Sequence, residues 1–201
     1  MLFIITGPSG CGKSSIVQKV LEEMEAVEFC VSHTTRKKRS SEQEGRDYYF
    51  VSQQDFELMI RENKLAEFAV VHGNYYGSSK KEIEKKGTRA DLLLDIDVQG
   101  ARQIKGKFKK AAFIFVLPPS FQELKKRLED RGQESPESIK ERLENAKKEI
   151  RHYSQFDYII INDQVDKAVE SLRSIIQNKR CRLSVLQKKV MYIIQSFSEG
   201  E

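Results

Sequence analysis

Cysteine and histidine are scarce in this sequence, and no long apolar run occurs. Each scarcity removes a class of function. The three cysteines, Cys11, Cys30 and Cys181, are odd in number and far apart. They form no C-x-x-C pair and no zinc-type spacing, which excludes a disulfide scaffold and a structural zinc site. So few thiols suit a reducing, cytoplasmic setting. The three histidines, His33, His72 and His152, have no metal spacing and no catalytic partner, and read as surface residues. No apolar stretch approaches the ~18 residues of a membrane helix. The opening MLFIIT lacks the basic lead of a secretory signal. Acidic residues are scarce in one place only. Residues 179–191, KRCRLSVLQKKVM, carry five basic residues and no acid, which equals the whole net charge of +5. The rest of the chain balances to about zero, against a nucleic-acid-binding face spread over the protein.

What remains is a globular composition, 39% hydrophobic and 32% charged over 201 residues, enough for one domain with small insertions. LFIIT is a short apolar strand. KSSIVQKVLEEM has apolar residues at helical spacing, and VEFCV (27–31) is a second strand. From Ser32 to about Lys81 the chain turns polar and arginine-rich, as an inserted subdomain would. SQQDFELMIREN is a helix with Ser52 and Asp55 in a capping arrangement. LAEFAVVHGNYYGSS is strand-like with a turn at Gly73-Asn74. ADLLLDID, AAFIFVLPPS and FDYIIIND are further strands, separated by helices, with two more helices across 121–152. Strands alternating with helices imply right-handed βαβ units and a parallel sheet covered on both faces. The tail carries Leu183, Leu186, Val190, Ile193 and Phe197 on one helical stripe. Docking on the core is the leading expectation, with a dimer contact or an acidic partner as alternatives.

Between the first strand and helix lies GPSGCGKSS: Gly7, Pro8, Ser9, Gly10, Cys11, Gly12, Lys13, Ser14 and Ser15. It matches G-x-x-x-x-G-K-[ST], the P-loop. Glycines let backbone N–H groups converge on phosphate oxygens, and the helix turns its positive end toward the anion. Lys13 suits β- and γ-phosphates, and the Ser14 hydroxyl suits Mg²⁺. Cys11 reads either as a small residue that fits or as a thiol activated by the helix N-terminus. A P-loop serves GTPases, motor ATPases and kinases alike. No N-K-x-D follows a strand, which removes the GTPase reading. LLLDID supplies Asp95 and Asp97, two apart and expected on one side of a strand. Arg36, Arg39 and Tyr48 suit a second phosphate.

Taken together, GPSGCGKSS, SHTTRKKR, GRDYYFVS, LAEFAVVHGNYYGSS, DIDVQG and LKKRLEDRG resemble the guanylate kinases, over about residues 2–178. The resemblance implies an α/β P-loop NTPase three-layer fold with a parallel central sheet, an inserted GMP-binding subdomain and a helical lid. It divides the chain into a core at 1–31, 84–124 and 153–201, a GMP-binding subdomain at 32–83 and a lid at 125–152. It implies transfer of the γ-phosphate of MgATP to GMP, and to dGMP, giving ADP and GDP, with Mg²⁺ as cofactor. ATP and GMP are the expected partners, without membrane or nucleic acid, and the oligomeric state is left open.

The resemblance assigns residues 7–15 and Asn162 to ATP. It assigns Ser32, Arg36, Arg39, Tyr48, Glu67, Tyr76, Ser78 and Asp95 to GMP. Ser14 and Asp97 go to the metal, and Lys13, Arg127, Arg131 and Arg142 to catalysis. A carboxylate at Glu67 is chemically apt, because guanine presents N1–H and N2–H side by side. One departure is Ser41, where the family often has glycine; Glu42 and Gly45 stay in register. A kinase-like module that binds phosphorylated peptides without catalysis is the alternative function, weakened by the intact Lys13, Ser14 and arginines.

Overall fold

In a computed structural model of the chain, residues 1–71, 73–130 and 135–198 are described. Strand β1 (Leu2–Thr6) is buried throughout, because parallel strands on both its sides and helices on both its faces leave no edge to water. The main sheet contains β2 (Val27–Phe29), β7 (Asp91–Asp95), β8 (Ala112–Leu117) and β9 (Tyr158–Ile161) as well. Its order is β2-β7-β1-β8-β9, and every pairing is parallel. Period-two alternation splits β1 between two cores. Phe3 and Ile5 pack with Ile16, Val17 and Val20 of α1 (Lys13–Glu23) and with Leu172 and Ile176 of α7 (Val165–Arg180). Leu2 and Ile4 pack on the other face with Ile83 of α3 (Lys80–Gly87) and with Ala101 and Ile104 of α4 (Val98–Lys107).

Between β2 and α3 the chain builds a smaller sheet from β3 (His33–Thr34), β4 (Tyr49–Phe50), β5 (Leu65–Val71) and β6 (Asn74–Ser79), in the order β4-β3-β6-β5. Helix α2 (Gln53–Arg61) lies in the same stretch, and the Ser52 side chain caps it by accepting from the Asp55 N–H at 3.1 Å. Gly73 turns the β5–β6 hairpin with φ +74°; His72 beside it lies outside the described residues. After β8 come α5 (Phe121–Glu129) and α6 (Pro136–Glu149), which share a small core of Leu124, Leu128, Leu143 and Ala146. A 3₁₀ turn at Ile150–Gln155 leads into β9.

The last helix, α8 (Leu183–Ser198), departs from the docking expectation. Leu183 is 70% exposed, Leu186 37%, Ile193 45% and Phe197 78%. Both faces of the main sheet are already covered, one by α1 and α7 and the other by α3 and α4. A chain ending at Arg182 is therefore expected to retain its kinetic constants. Burying so little apolar area, α8 contributes about 1 kcal/mol or less to stability. Thermal melting and steady-state assays of the shortened chain check this.

Candidate functional site

The P-loop leaves β1 as a tight ring that tolerates only glycine at two points. A Cβ on Gly7 (φ +152°) would lie 2.2 Å from the Val116 carbonyl oxygen. A Cβ on Gly12 (φ +94°) would lie 2.2 Å from Asn162 Nδ2. Gly12 stands at the start of α1, which has no side-chain cap and no acidic residue in its first turn. Its open N–H groups and dipole are therefore directed at whatever anion the loop holds. Ser14 and Ser15 are exposed in that first turn. Lys13 Nζ donates to the Gly7 carbonyl at 2.6 Å and the Pro8 carbonyl at 3.4 Å, and stands 3.9 Å from Asp95 Oδ1. A cation resting on neutral carbonyls is exchangeable for a phosphate oxygen, a stronger charge-assisted partner.

Cys11 is buried and its N–H donates to the Pro8 carbonyl at 3.2 Å. Burial pushes its thiol pKa up, with Lys13 opposing. Its burial supports the packing reading over a reactive thiol. Asn162 is assigned to ATP on sequence, yet it is buried beneath the loop. Its Nδ2 donates to the Cys11 carbonyl at 2.7 Å, and its Oδ1 has no partner among the described residues. It braces the loop from behind.

The two aspartates separate. Strand β7 ends at Asp95, so Asp95 and Asp97 do not share a strand face as two-residue spacing suggests. Asp95 sits beside Lys13, and burial raises its pKa while Lys13 holds it down. Asp97 instead caps α4: Oδ1 accepts the Gly100 N–H at 2.8 Å and Oδ2 accepts from Gln99 at 3.0 Å. A Cβ on Gly100 would lie 2.4 Å from Glu67 Oε2 and 3.3 Å from Asp97 Oδ1. Asp97 thus belongs with Glu67, and Asp95 with the P-loop.

Glu67 is 3% exposed, and its Oε1 has no partner among the described residues. It stands opposite Ser78 in the β5–β6 ladder, and the Ser78 hydroxyl lies 3.2 Å from that of Ser32. Burial raises the Glu67 pKa to about 7. Hydrogen bonding from Ser78 and the charge of Lys107 oppose that rise, and Asp97 adds to it. An orphaned buried carboxylate oxygen is costly, and such a group marks a place where a ligand supplies donors.

Two residues before Ser78 on β6, Tyr76 meets Arg36, which is held rather than loose. Arg36 donates to Glu42 Oε1 at 2.6 Å and to the Tyr76 hydroxyl at 3.2 Å, and stacks over Tyr48 at 5.4 Å. Glu42 also accepts the Arg39 N–H at 2.8 Å, so it organises the whole segment. Gly45 supplies φ +72° nearby. The Arg39 side chain is exposed. Burial raises the Tyr48 pKa, and the Asp95 charge raises it further. On α6, Arg142 donates to the Ser9 hydroxyl. Arg127 donates to Glu123 at 2.8 Å and to the Asn162 carbonyl at 3.0 Å. Arg131 lies outside the described residues. Gly10 lets α5 sit close against the loop: a Cβ there would lie 2.8 Å from Leu128 Cδ2.

A P-loop on a parallel α/β sheet, with an ordered arginine–tyrosine cluster on the small sheet, places the chain among the P-loop proteins of the phosphotransferase class. The guanylate kinase family model matches residues 1–179. A guanylate kinase of Geobacter metallireducens is 44% identical over 183 residues, 90% of each chain. One from Buchnera aphidicola is 47% identical over 179 residues, 88% of this chain and 86% of its own. A crystal structure of guanylate kinase from Anaplasma phagocytophilum superposes with a TM-score of 0.75 at 30% identity, covering 90% of this chain and 86% of its own. The chain belongs to the guanylate kinase family.

Proposed function

We propose that the protein is an ATP:GMP phosphotransferase: it moves the γ-phosphoryl group of ATP onto GMP, giving ADP and GDP. The observation that carries this is Glu67, a buried carboxylate with one unpartnered oxygen, set between Ser78 and Asp97. Guanine's adjacent N1–H and N2–H donors match such a group, whereas adenine presents an acceptor at N1 and would leave it unpaired. Curated guanylate kinases 44–47% identical over most of the chain favour the enzyme over a phosphopeptide-binding module.

In this reading ATP lies on residues 7–15 and GMP on the small sheet. Arg36, Arg39, Tyr48 and Tyr76 hold the GMP phosphate, and Ser32, Glu67, Ser78 and Asp97 hold the base. Residues 32–83 act as the GMP-binding part and 125–152 as the lid, around a core of 1–31, 84–124 and 153–201. A GMP phosphate oxygen attacks the γ-phosphorus, and the bond to the β–γ bridging oxygen breaks, leaving its electron pair on ADP. No general base is required, because the attacking oxygen is already anionic. Lys13 and Arg142, with Arg127 behind them, stabilise charge spread over the equatorial oxygens. Arg142 also draws the lid over the loop, which keeps water from competing for the phosphoryl group.

Mg²⁺ suits the exposed Ser14 hydroxyl together with the Asp95 carboxylate, since this ion takes one or two protein ligands and leaves the remainder to phosphates and water. When bound it supplies charge neutralisation of the β- and γ-phosphates. The test is a coupled ADP-release assay with MgATP and each of GMP, AMP, CMP and UMP. Rapid turnover with GMP alone is expected. Turnover with another base overturns the Glu67 assignment, and none with any base overturns the enzyme reading.

A further inference from the structure

Strand β5 carries the base-reading Glu67, yet it is the outer strand of the small sheet. An outer strand has alternate N–H and C=O groups with no strand to meet them. The β5–β6 ladder is also irregular here, with a register shift between Leu65 and Glu67. A bulge weakens the hold of a ladder on register, and a slip of one residue would turn Glu67 to the opposite face. Something other than β6 must therefore hold this segment.

Helix α4 does so with two side chains. Gln103 makes both bonds that a neighbouring strand would make to one residue: its Oε1 accepts the Phe68 N–H at 3.2 Å, and its Nε2 donates to the Phe68 carbonyl at 2.6 Å. Lys107, one turn on and on the same helical face, donates to the Ala66 carbonyl at 2.6 Å. Ala66 and Phe68 flank Glu67, whose inward-facing backbone pairs with β6 opposite Ser78. The same helix contributes Asp97 at its cap and Gly100 against the Glu67 carboxylate.

We infer that Gln103 and Lys107 are positioning residues for base selection. They fix residues 66–68 to α4, so that Glu67 enters the base site in one register. The inference rests on the GMP reading above. Neither residue touches a nucleotide: Gln103 acts through the β5 backbone alone, and Lys107 acts through that backbone and through its charge near Glu67. Loss of the clamp should then weaken recognition of the base while leaving the P-loop intact.

The experiment compares the full-length protein with Q103L, Q103E, K107M and K107R. Each is assayed with ATP and with GMP or inosine monophosphate, which lacks the 2-amino donor. Melting curves accompany each assay. In Q103L, KM for GMP is expected to rise about tenfold and the preference for GMP over inosine monophosphate to shrink by a similar factor. Its kcat and KM for ATP should stay within about twofold, the pattern of lost ground-state positioning. K107M should show the same split, and K107R, which keeps the donor, should resemble the parent protein. If Q103L does not fold, Q103E decides the matter, because it keeps the bond from the Phe68 N–H but cannot donate to the carbonyl. An unchanged KM for GMP in a folded Gln103 variant overturns the clamp. So does a parallel rise in KM for ATP. Failure of the parent protein to turn over GMP is seen before any variant is made, and overturns the GMP reading itself.

Discussion

Lys13→Met is expected to lower turnover by at least about a thousandfold, since it removes a fixed cation aimed at the transferring phosphoryl group. The fold should survive. Lys13 is a half-buried residue at the start of α1, and it donates to the Gly7 and Pro8 carbonyls of its own loop. Losing them costs about 1–2 kcal/mol, a few degrees in melting temperature for a chain of this length. GMP binding, measured by calorimetry, should change little, because the GMP phosphate contacts are assigned to the small sheet. Asp95 also loses the cation that offsets its burial, and its pKa should rise further. Near-normal turnover in a folded K13M protein would remove Lys13 from the chemistry.

Glu67→Gln is expected to lower kcat/KM for GMP by about a hundredfold, with KM for ATP nearly unchanged. A carboxylate accepts from both guanine donors, whereas an amide accepts at one atom and presents a donor at the other, which leaves one pair clashing and removes the charge assistance. The same carboxyl sets a pH dependence. With its pKa raised to about 7, Glu67 holds a proton at pH 6 that must leave before guanine can bind. KM for GMP should therefore fall about tenfold from pH 6 to the alkaline plateau. GMP's own phosphate titrates in this range too. E67Q retains that titration and lacks the carboxyl, so the difference between the two profiles isolates Glu67.

Stability follows with the opposite trend. A carboxyl at about 7 when folded and near 4.5 when unfolded binds more proton in the native state. Its contribution is full below 4.5 and is lost as pH rises through 7, by about 3 kcal/mol. The melting temperature of the parent protein should thus fall more steeply than that of E67Q between pH 5 and 8. Equal slopes would mean that Glu67 titrates as an exposed acid.

Much of this was legible in the chain order. The P-loop is a local device: Gly7 and Gly12 must lack side chains, and Lys13 must open a helix. Short-range stereochemistry dictates such a unit wherever the rest of the chain goes. The β1 and β8 runs read as buried strands because their residues are apolar on both faces, and they are buried on both faces. The Ser52 cap followed from a three-residue spacing and was found.

Other placements needed distance information. Two-residue spacing put Asp95 and Asp97 together, but β7 ends between them and sends one carboxylate to the P-loop and the other to α4. Asn162 lies 151 positions from the Cys11 carbonyl it supports, and no local signal announces that contact. The apolar stripe of α8 looked like a core face, yet both faces of the main sheet were already covered. Gln103 and Lys107 went unnoticed because a glutamine and a lysine on a polar helix are ordinary; only their opposition to an outer strand gives them work.

The phosphate loop and the alternation of strands and helices follow from the order of residues along the chain. These depend on stereochemistry and donor–acceptor chemistry within a few residues. Packing between distant segments sets which aspartate meets which partner, what braces the loop, and how Glu67 comes to be buried with an unsatisfied oxygen. Those depend on segments remote in sequence competing for the same space, a contest settled only when the layers pack.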